Sequence, residues 1–493
     1  MIALIIIFVV FFALLAWRRL DLATALVIAA LPAYQIRFNL GFLPMTLLEA
    51  MILVLFAAWF IKAWRADELP LLFYLSFPRR RESHQNIKQY PFHLEIILLL
   101  IVALVSTGAA GFTNASLGIL KAYFIEPVMF FIVFVNVFKI KENRNKIFWA
   151  LAISALVVSL VAIYQWLSGN LLPAAWQGSG RVTGAFAYPN ALGLYLGPII
   201  ITLSGWLLGL TAQNIKYQIS NDKQILNSKL PILKALFVCS VILLSVTAIY
   251  FSHSQGALIG LIIALVIFGV LYNWRSRLIV TAVMVAALIT LSLSPTGLGR
   301  LQSKIMLRDL DGQIRRQQWA ETKKMLLDGR IITGAGLANY QMAVAPHHQE
   351  GIFVRDYNDS DFQRKVVFNA DYRRRVWQPL ETYLYPHNIF LNFWSELGLV
   401  GMLLFLWIIV KYFLISLKSI KSVKSIKSER ERALILGLAC AMIVIVVHGL
   451  VDAPYFKNDL AVLFWVLAGM MGVYQIDIHP QINKSFTNNT NKR

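Results

Sequence analysis

Residues 235–272 read ALFVCSVILLSVTAIYFSHSQGALIGLIIALVIFGVLY and contain no Asp, Glu, Lys or Arg. Two apolar runs, 232–251 and 255–273, flank one short polar break, Ser252-His253-Ser254-Gln255-Gly256. Each run is long enough to cross the hydrocarbon core of a bilayer as a helix. In lipid it has to be a helix, because no water is present to pair a free backbone N–H or C=O. The same pattern recurs along the chain. Apolar runs cover approximately 1–17, 20–36, 43–63, 94–112, 122–139, 147–168, 189–210, 232–251, 255–273, 278–294, 388–416, 433–451 and 459–476. The expected fold is therefore all-α, a polytopic transmembrane bundle of about 12–14 helices.

Composition agrees. The 493 residues are 58% hydrophobic and 14% charged, with a mean hydropathy of +0.64. A soluble chain carries about 25% charge. The net charge of +21 is not a nucleic-acid footprint, since most basic residues cluster in short connections between apolar runs. Cys239 and Cys440 fall inside such runs and read as small buried hydrophobes. The first run lacks a basic leader and a small-residue cleavage site, and Arg18-Arg19 follow it, so it reads as a retained anchor.

Alternate connections are basic: Arg18-Arg19, Arg79-Arg80-Arg81, Lys139 to Lys146, the Lys216/Lys223/Lys229 segment, Arg275 with Arg277, and Lys418 to Arg432. The tail with Lys492-Arg493 joins them. By the positive-inside rule this set is cytoplasmic. The opposite set, 37–42, 113–121, 169–188, 252–254, 295–387 and 452–458, then faces outward. The chain divides into N-terminal helices (1–168), helices bearing polar stations (169–294), one large outer loop (295–387), C-terminal helices (388–476) and a cytoplasmic tail (477–493). The repetitive Lys418–Lys427 stretch reads as a solvated linker at the lipid head groups.

The loop 295–387 carries fourteen Lys/Arg and ten Asp/Glu. Long loops escape the charge rule, and one of about ninety residues without structure is unusual. A small helical subdomain is expected there, with an amphipathic helix over Asp309–Leu327 ended by Asp328-Gly329.

The sequence has no P-loop, CxxC, HExxH, EF-hand or GxSxG pattern. Polar stations at the outer helix ends remain. Arg181 precedes Gly184 and Pro189-Asn190, where Asn190 is expected to cap the following helix. Arg315-Arg316 and Trp319 lie on the amphipathic helix, with Arg315 one turn from Trp319. His387-Asn388 open the next apolar run, and a histidine there titrates near neutrality. Glu396 is nine residues on, roughly the opposite helix face, and is expected to bond another helix. Glu49, Glu95, Lys121, Glu126 and Asp452 read as structural polar residues in or near the membrane, with Lys121 and Glu126 pairing with Arg37, Glu49 or each other.

Taken together, Arg181…Gly184…Pro189-Asn190, Ser254-Gln255-Gly256-Ala257, Arg315-x-x-x-Trp319, Gly334-x-Gly336, His387-Asn388…Glu396-x-Gly398-x-x-Gly401 and Asp452-Ala-Pro-Tyr455 resemble the O-antigen ligase and O-antigen polymerase superfamily. The resemblance implies a bacterial inner-membrane glycosyltransferase with its active site on the periplasmic face. The donor would be a glycan on undecaprenyl diphosphate, and the acceptor a hydroxyl of lipid A core, another glycan or a protein. The transfer would be inverting, with no metal and no cofactor. His387 would correspond to the family's catalytic histidine and Arg315 to its loop arginine on the pyrophosphate. A second family arginine follows a Ser in the short-loop motif. Here that position is Gln255, so Arg181 or Arg316 would take its place. Asn190 and Asn388 join the expected substrate-binding set. Polymerase and protein O-oligosaccharyltransferase share the layout. A flippase or transporter is the rival from another class, and would show internal repeats and midplane charges. A scaffold for other glycan enzymes is a third.

Overall fold

The computed structural model describes residues 2–41, 43–66, 91–219, 230–293, 299, 302–357, 359–426 and 428–490. Arg79-Arg80-Arg81, Lys223, Lys229 and Lys492-Arg493 lie outside them. The chain is a helix bundle: α1 (Ile2–Arg18), α2 (Leu20–Ala29), α3 (Leu47–Arg65), α4 (His93–Ala109), α5 (Asn114–Phe138), α6 (Asn145–Ser168), α7 (Pro189–Ile219), α8 (Leu230–Ser252), α9 (Gln255–Tyr272) and α10 (Trp274–Ser292) precede the large loop. Within the loop runs α11 (Leu310–Met325), and after it come α12 (Ile389–Ile426), α13 (Glu429–Gly449) and α14 (Asn458–Thr490). Among the described residues eight helices are long and apolar enough to cross a membrane, and α1, α2 and α4 are shorter apolar helices.

Local chemistry moves several expected boundaries. The run 20–36 is a ten-residue helix followed by a 3-10 turn, Leu31–Gln35. Pro32 in that turn has no N–H to continue the α ladder. Connection 37–42 is a hairpin instead of a plain loop, with Arg37–Leu40 (β1) paired antiparallel to Leu43–Thr46 (β2). The segment 113–121 is helical: α5 starts at Asn114 under a Thr113 cap and runs through a π turn at Leu120–Ile125. The Lys-Ser stretch is no linker either, since α12 continues through it to Ile426. Nothing in that repeat breaks a helix. Cys239 is exposed on α8, and only Cys440 is buried.

The centre of the bundle is α7 against α13. A Cβ on Gly205 would lie 2.7 Å from the Ala433 carbonyl oxygen and 2.9 Å from Gly437 Cα. The two backbones therefore touch, which only glycine permits, and this is how membrane helices gain packing without a hydrophobic driving force between them.

The two sets of connections sit at opposite ends. At one end Arg430 reaches Asn145 (3.3 Å), Arg432 reaches the Leu271 carbonyl (2.8 Å) and Lys146 pairs with Asp21. At the other, Lys121 pairs with Glu49 (3.2 Å), Asn458 donates to Glu49 (3.2 Å) and Asn388 donates to the Leu450 carbonyl (2.9 Å). The alternation read from charge is thus a spatial one. In the first turn of α4, Glu95 is paired with Lys411 (2.7 Å) and accepts from Trp407 (3.0 Å).

The large loop is folded and docked. Asp309 caps α11, accepting from the Gly312 N–H (3.1 Å). A turn through Asp328 and Gly329 (φ +77°) ends it, as the sequence suggests. Met325, Leu326, Ala335, Tyr340, Ala343 and Val344 form a separate small core. A two-stranded hairpin pairs Gly351–Phe353 (β3) with Trp377–Pro379 (β4).

Docking relies on a break in α12. Gly398 has φ +74° and ψ −179°, a region open essentially to glycine alone. The opened backbone is taken up by the loop: Leu399 N–H donates to the Ile331 carbonyl (3.1 Å) and Ala335 N–H to the Ser395 carbonyl (2.6 Å). Trp394 Nε1 also donates to the Ile331 carbonyl (2.8 Å). Irregular backbone at a membrane helix is tolerable where protein covers it. A Cβ on Gly398 would collide with the Ile332 carbonyl. Gly398→Ala is accordingly expected to cost about 1–3 kcal/mol in backbone strain alone and to loosen the loop. Limited proteolysis of the detergent-purified protein should show new cleavage within 302–387 while the helices stay protected. An unchanged digest and melting temperature would contradict this docking.

Candidate functional site

Helix α11 carries three residues on one face, at spacings of three and four: Arg315, Gln318 and Trp319. Each does a different job. Trp319 Nε1 donates to the Pro386 carbonyl (2.9 Å) and fixes the end of the loop. Gln318 Oε1 accepts from His387 Nδ1 (3.1 Å). Arg315 turns into a cavity of about 180 Å³ at the loop-bearing end of the bundle.

The bond to Gln318 places the Nδ1 proton, so the neutral ring presents Nε2 as its basic atom. His387 has φ +43°, a conformation uncommon for a side-chain-bearing residue, and lies between the rings of Tyr385 (4.6 Å) and Tyr383 (5.4 Å). Burial lowers its pKa below the ordinary value, with nearby Asp452 pulling it up and Arg315 pushing it further down. Asn388 is the N-cap here: its Oδ1 accepts from the Phe390 and Leu391 N–H groups (3.0 Å each). Asn388 therefore fixes the start of α12 beside His387.

Arg181, Asn190, Gln255, Asp311, Arg315, His448 and Asp452 share the cavity wall, with His253 and Lys304 at its exposed side. Arg181 is held on three sides: Nε donates to the Ser252 carbonyl (3.0 Å), Nη2 to Asn190 Oδ1 (3.1 Å), and the guanidinium lies over Trp176 (5.2 Å). Burial lowers its pKa, though a guanidinium stays charged at any physiological pH. Asn190 was expected to cap α7. Instead the helix begins at Pro189, and Asn190 bridges Arg181 to Asp452, with Nδ2 donating to Asp452 Oδ2 (3.3 Å). Arg315 makes no hydrogen bond or ion pair among the described residues. Its cation faces the cavity unspent.

Two sequence expectations separate here. Of the residues offered in place of the arginine that Gln255 lacks, Arg181 lines the cavity, while Arg316 is exposed and bonds Tyr357 (3.0 Å) on the far side of α11. Gln255 itself lines the cavity and is exposed.

The structural polar residues lie beside this site, not in it. Glu49 completes a capping box with Thr46 and holds Lys121 (3.2 Å) and Asn458 (3.2 Å). Among the described residues Glu126 has no hydrogen-bond partner, and both carboxyl oxygens are buried. Glu396 does not face His387, as its spacing foretold, but its partner is the loop and not another helix: Oε2 accepts from the Ala338 N–H (2.7 Å).

Sequence reading passed over Gln318, His448 and Lys304. Gln318 had a signal, its position three residues after Arg315. His448 had none, being one polar residue near the end of an apolar run.

Residues 240–406 match the family model described as O-Antigen ligase. That segment holds Gln255, Arg315, Gln318, Trp319, His387 and Gly398, whereas Arg181, Asn190, His448 and Asp452 reach the cavity from outside it. No curated protein matches the chain.

The cavity predicts an anion site. Inorganic pyrophosphate should bind the purified protein, and Arg315→Ala and Arg181→Ala should each weaken it roughly tenfold or more, the size of one charge-assisted hydrogen bond. Arg316→Ala should change it less than about twofold, as for an exposed charge outside the site. Isothermal titration at two salt concentrations decides this. Equal effects of Arg315 and Arg316 would refute the assignment.

Proposed function

We propose that this chain, a membrane protein of the O-antigen ligase and polymerase type, transfers a glycan from undecaprenyl diphosphate to an acceptor hydroxyl, on the periplasmic side of the bacterial inner membrane. One observation carries the reading: a single face of α11 aims Arg315 at the cavity and orients His387 through Gln318. A cation for a leaving group and a base for a nucleophile are thereby fixed relative to each other.

The step balances simply. The acceptor oxygen attacks the anomeric carbon and forms the new C–O bond. Its proton goes to His387 Nε2. The bond from the anomeric carbon to the diphosphate oxygen breaks, and both electrons leave with the lipid diphosphate. Arg315 and Arg181 neutralise that charge in a partly buried cavity, where fixed cations act strongly. A single displacement inverts the anomeric centre. The lipid tail lies along the apolar flanks of the bundle. We favour a ligase, with lipid A core or another surface glycolipid as acceptor. A polymerase or protein O-oligosaccharyltransferase would use the same residues. The break in α12 is a feature that transporters also use. Here the loop fills it through Ile331 and Ala335, which favours a fixed catalytic platform over a moving gate.

The test supplies native undecaprenyl-diphosphate glycans and a crude acceptor extract to the detergent-purified protein, in EDTA. Released undecaprenyl diphosphate is measured for wild type, His387→Ala and Arg315→Ala. Wild type should release it, and His387→Ala should be slower by about a hundredfold or more. Equal release from all three would remove both residues from the mechanism.

The pH profile follows from the lowered pKa of His387. Only neutral His387 accepts the proton, so kcat/KM should be flat through neutrality and fall on acidification. The midpoint should lie below the ordinary histidine value of 6.5. A midpoint above that value would exclude this histidine as the base.

A further inference from the structure

Lys457 sits where a cation is hard to keep. It immediately precedes α14, whose N-terminus carries a positive partial charge, so the helix disfavours an ammonium there and favours an anion. Burial also lowers its pKa, with Asp459 and Asp452 opposing. No carboxylate among the described residues comes within ion-pair distance of it. Its contacts are aromatic: Nζ lies 4.2 Å from the Tyr188 ring centre, 5.7 Å from that of Tyr34 and 5.8 Å from that of Phe186, and it donates to Tyr34 Oη (3.3 Å). The rings attract the ammonium but carry no counter-charge, and Lys457 is half-buried, open in part to an anion.

The site is not the diphosphate cavity. Lys457, Tyr188 and Tyr385 are absent from its wall, which Asp452 lines. The segment Ala453-Pro454-Tyr455-Phe456 separates the two, so one loop offers Asp452 to the cavity and Lys457 to a second place. From Lys457 a strip of partly exposed rings leads to the base: Tyr385 donates to Tyr188 Oη (3.3 Å), and the Tyr385 ring lies 4.6 Å from His387. In an inverting displacement the acceptor approaches opposite the leaving group. A path to His387 that avoids the cavity meets that demand, and aromatic faces with hydroxyls suit a sugar.

We propose that Lys457, Tyr34 and Tyr188 form an anion subsite for the acceptor, binding a phosphate or carboxylate carried on the acceptor glycan while its hydroxyl reaches His387 along Tyr188 and Tyr385. The acceptor role rests on the transfer reading above; the anion site does not.

The test uses the full chain in detergent, with glucose 6-phosphate as probe and glucose as the neutral control. Titration calorimetry should show saturable binding of the phosphate sugar only. Lys457→Met and Lys457→Gln should weaken it roughly tenfold or more, the size of one charge-assisted hydrogen bond, while Lys457→Arg and Arg315→Ala retain it. Thermal unfolding checks that each variant is folded. No saturable binding to wild type, or binding lost in Arg315→Ala and kept in Lys457→Met, overturns the subsite. Repetition in nanodiscs separates the other source of phosphate: if phosphatidylglycerol displaces the sugar and phosphatidylcholine does not, the occupant is a lipid head group and the proposal fails. In the transfer assay, Lys457→Met should raise KM for a phosphorylated acceptor and leave kcat and a neutral acceptor unchanged. Lys457-dependent binding with no glycan transfer by wild type would keep the anion site, overturn its role for an acceptor and sink the transfer reading itself.

Discussion

The break in α12 at Gly398 is the constraint on which the rest depends. A helix in lipid cannot leave its backbone groups unpaired, so breaking one requires a partner at the break. Residues 331–338 are that partner: the Ile331 carbonyl accepts from Leu399 N–H, Ala335 N–H donates to the Ser395 carbonyl and Ala338 N–H to the Glu396 carboxylate. Gly334 and Gly336 let the loop come close enough: a Cβ on Gly334 would lie 2.6–2.8 Å from the backbone of Trp394, Ser395 and Gly398. Because the loop is clamped at this point, α11 is held over the end of the bundle. Arg315 and His387, distant in sequence, then share one frame. The glycine spacings and the catalytic candidates are thus parts of one device.

The second constraint is electrostatic. The cavity gathers Arg181, Arg315, Asp311 and Asp452, yet Arg181 and Asp452 are joined through Asn190 and not directly. A direct ion pair would consume charge that otherwise faces the cavity. An amide between them holds both in place and leaves Arg181 polarised toward the cavity. Arg315 goes further, with no partner at all among the described residues. Arg315 is half-buried, and α11, which carries it, is fixed by an Asp309 cap and by Trp319 on Pro386.

Helix placement was readable in the sequence because hydropathy is a local property: from α3 onward each apolar run became a helix, though α5, α7, α12 and α14 extend about eight to fourteen residues beyond the run. The grouping of connections at two ends was readable because basic clusters alternate, and contacts such as Arg430 to Asn145 put that alternation into space. What escaped reading depended on partners far along the chain. Asn190 looked like a cap because Pro189-Asn190 is a good local start, and only the fold brings Asp452 to it. Glu396 was placed on the right face by its periodicity, but its loop partner Ala338 has no signature. The hairpin at 37–46 and the π turn at Leu120–Ile125 were hidden inside apolar composition, which does not distinguish an α ladder from its local variants. Gln318 was legible in principle, three residues from an arginine already singled out.

The departure at Gln255 becomes intelligible in the same terms. Gln255 brings no charge to the α8–α9 turn, and Arg181, bound to the Ser252 carbonyl of that same turn, presents a guanidinium in its neighbourhood. Arg181 also comes pre-organised by Trp176 and Asn190, whereas Gln255 is exposed and makes no such contacts. The turn thus has a cation beside it. Arg316 lies elsewhere for a geometric reason: one residue along a helix is about 100° around it, and that rotation carries its side chain from the cavity to Tyr357.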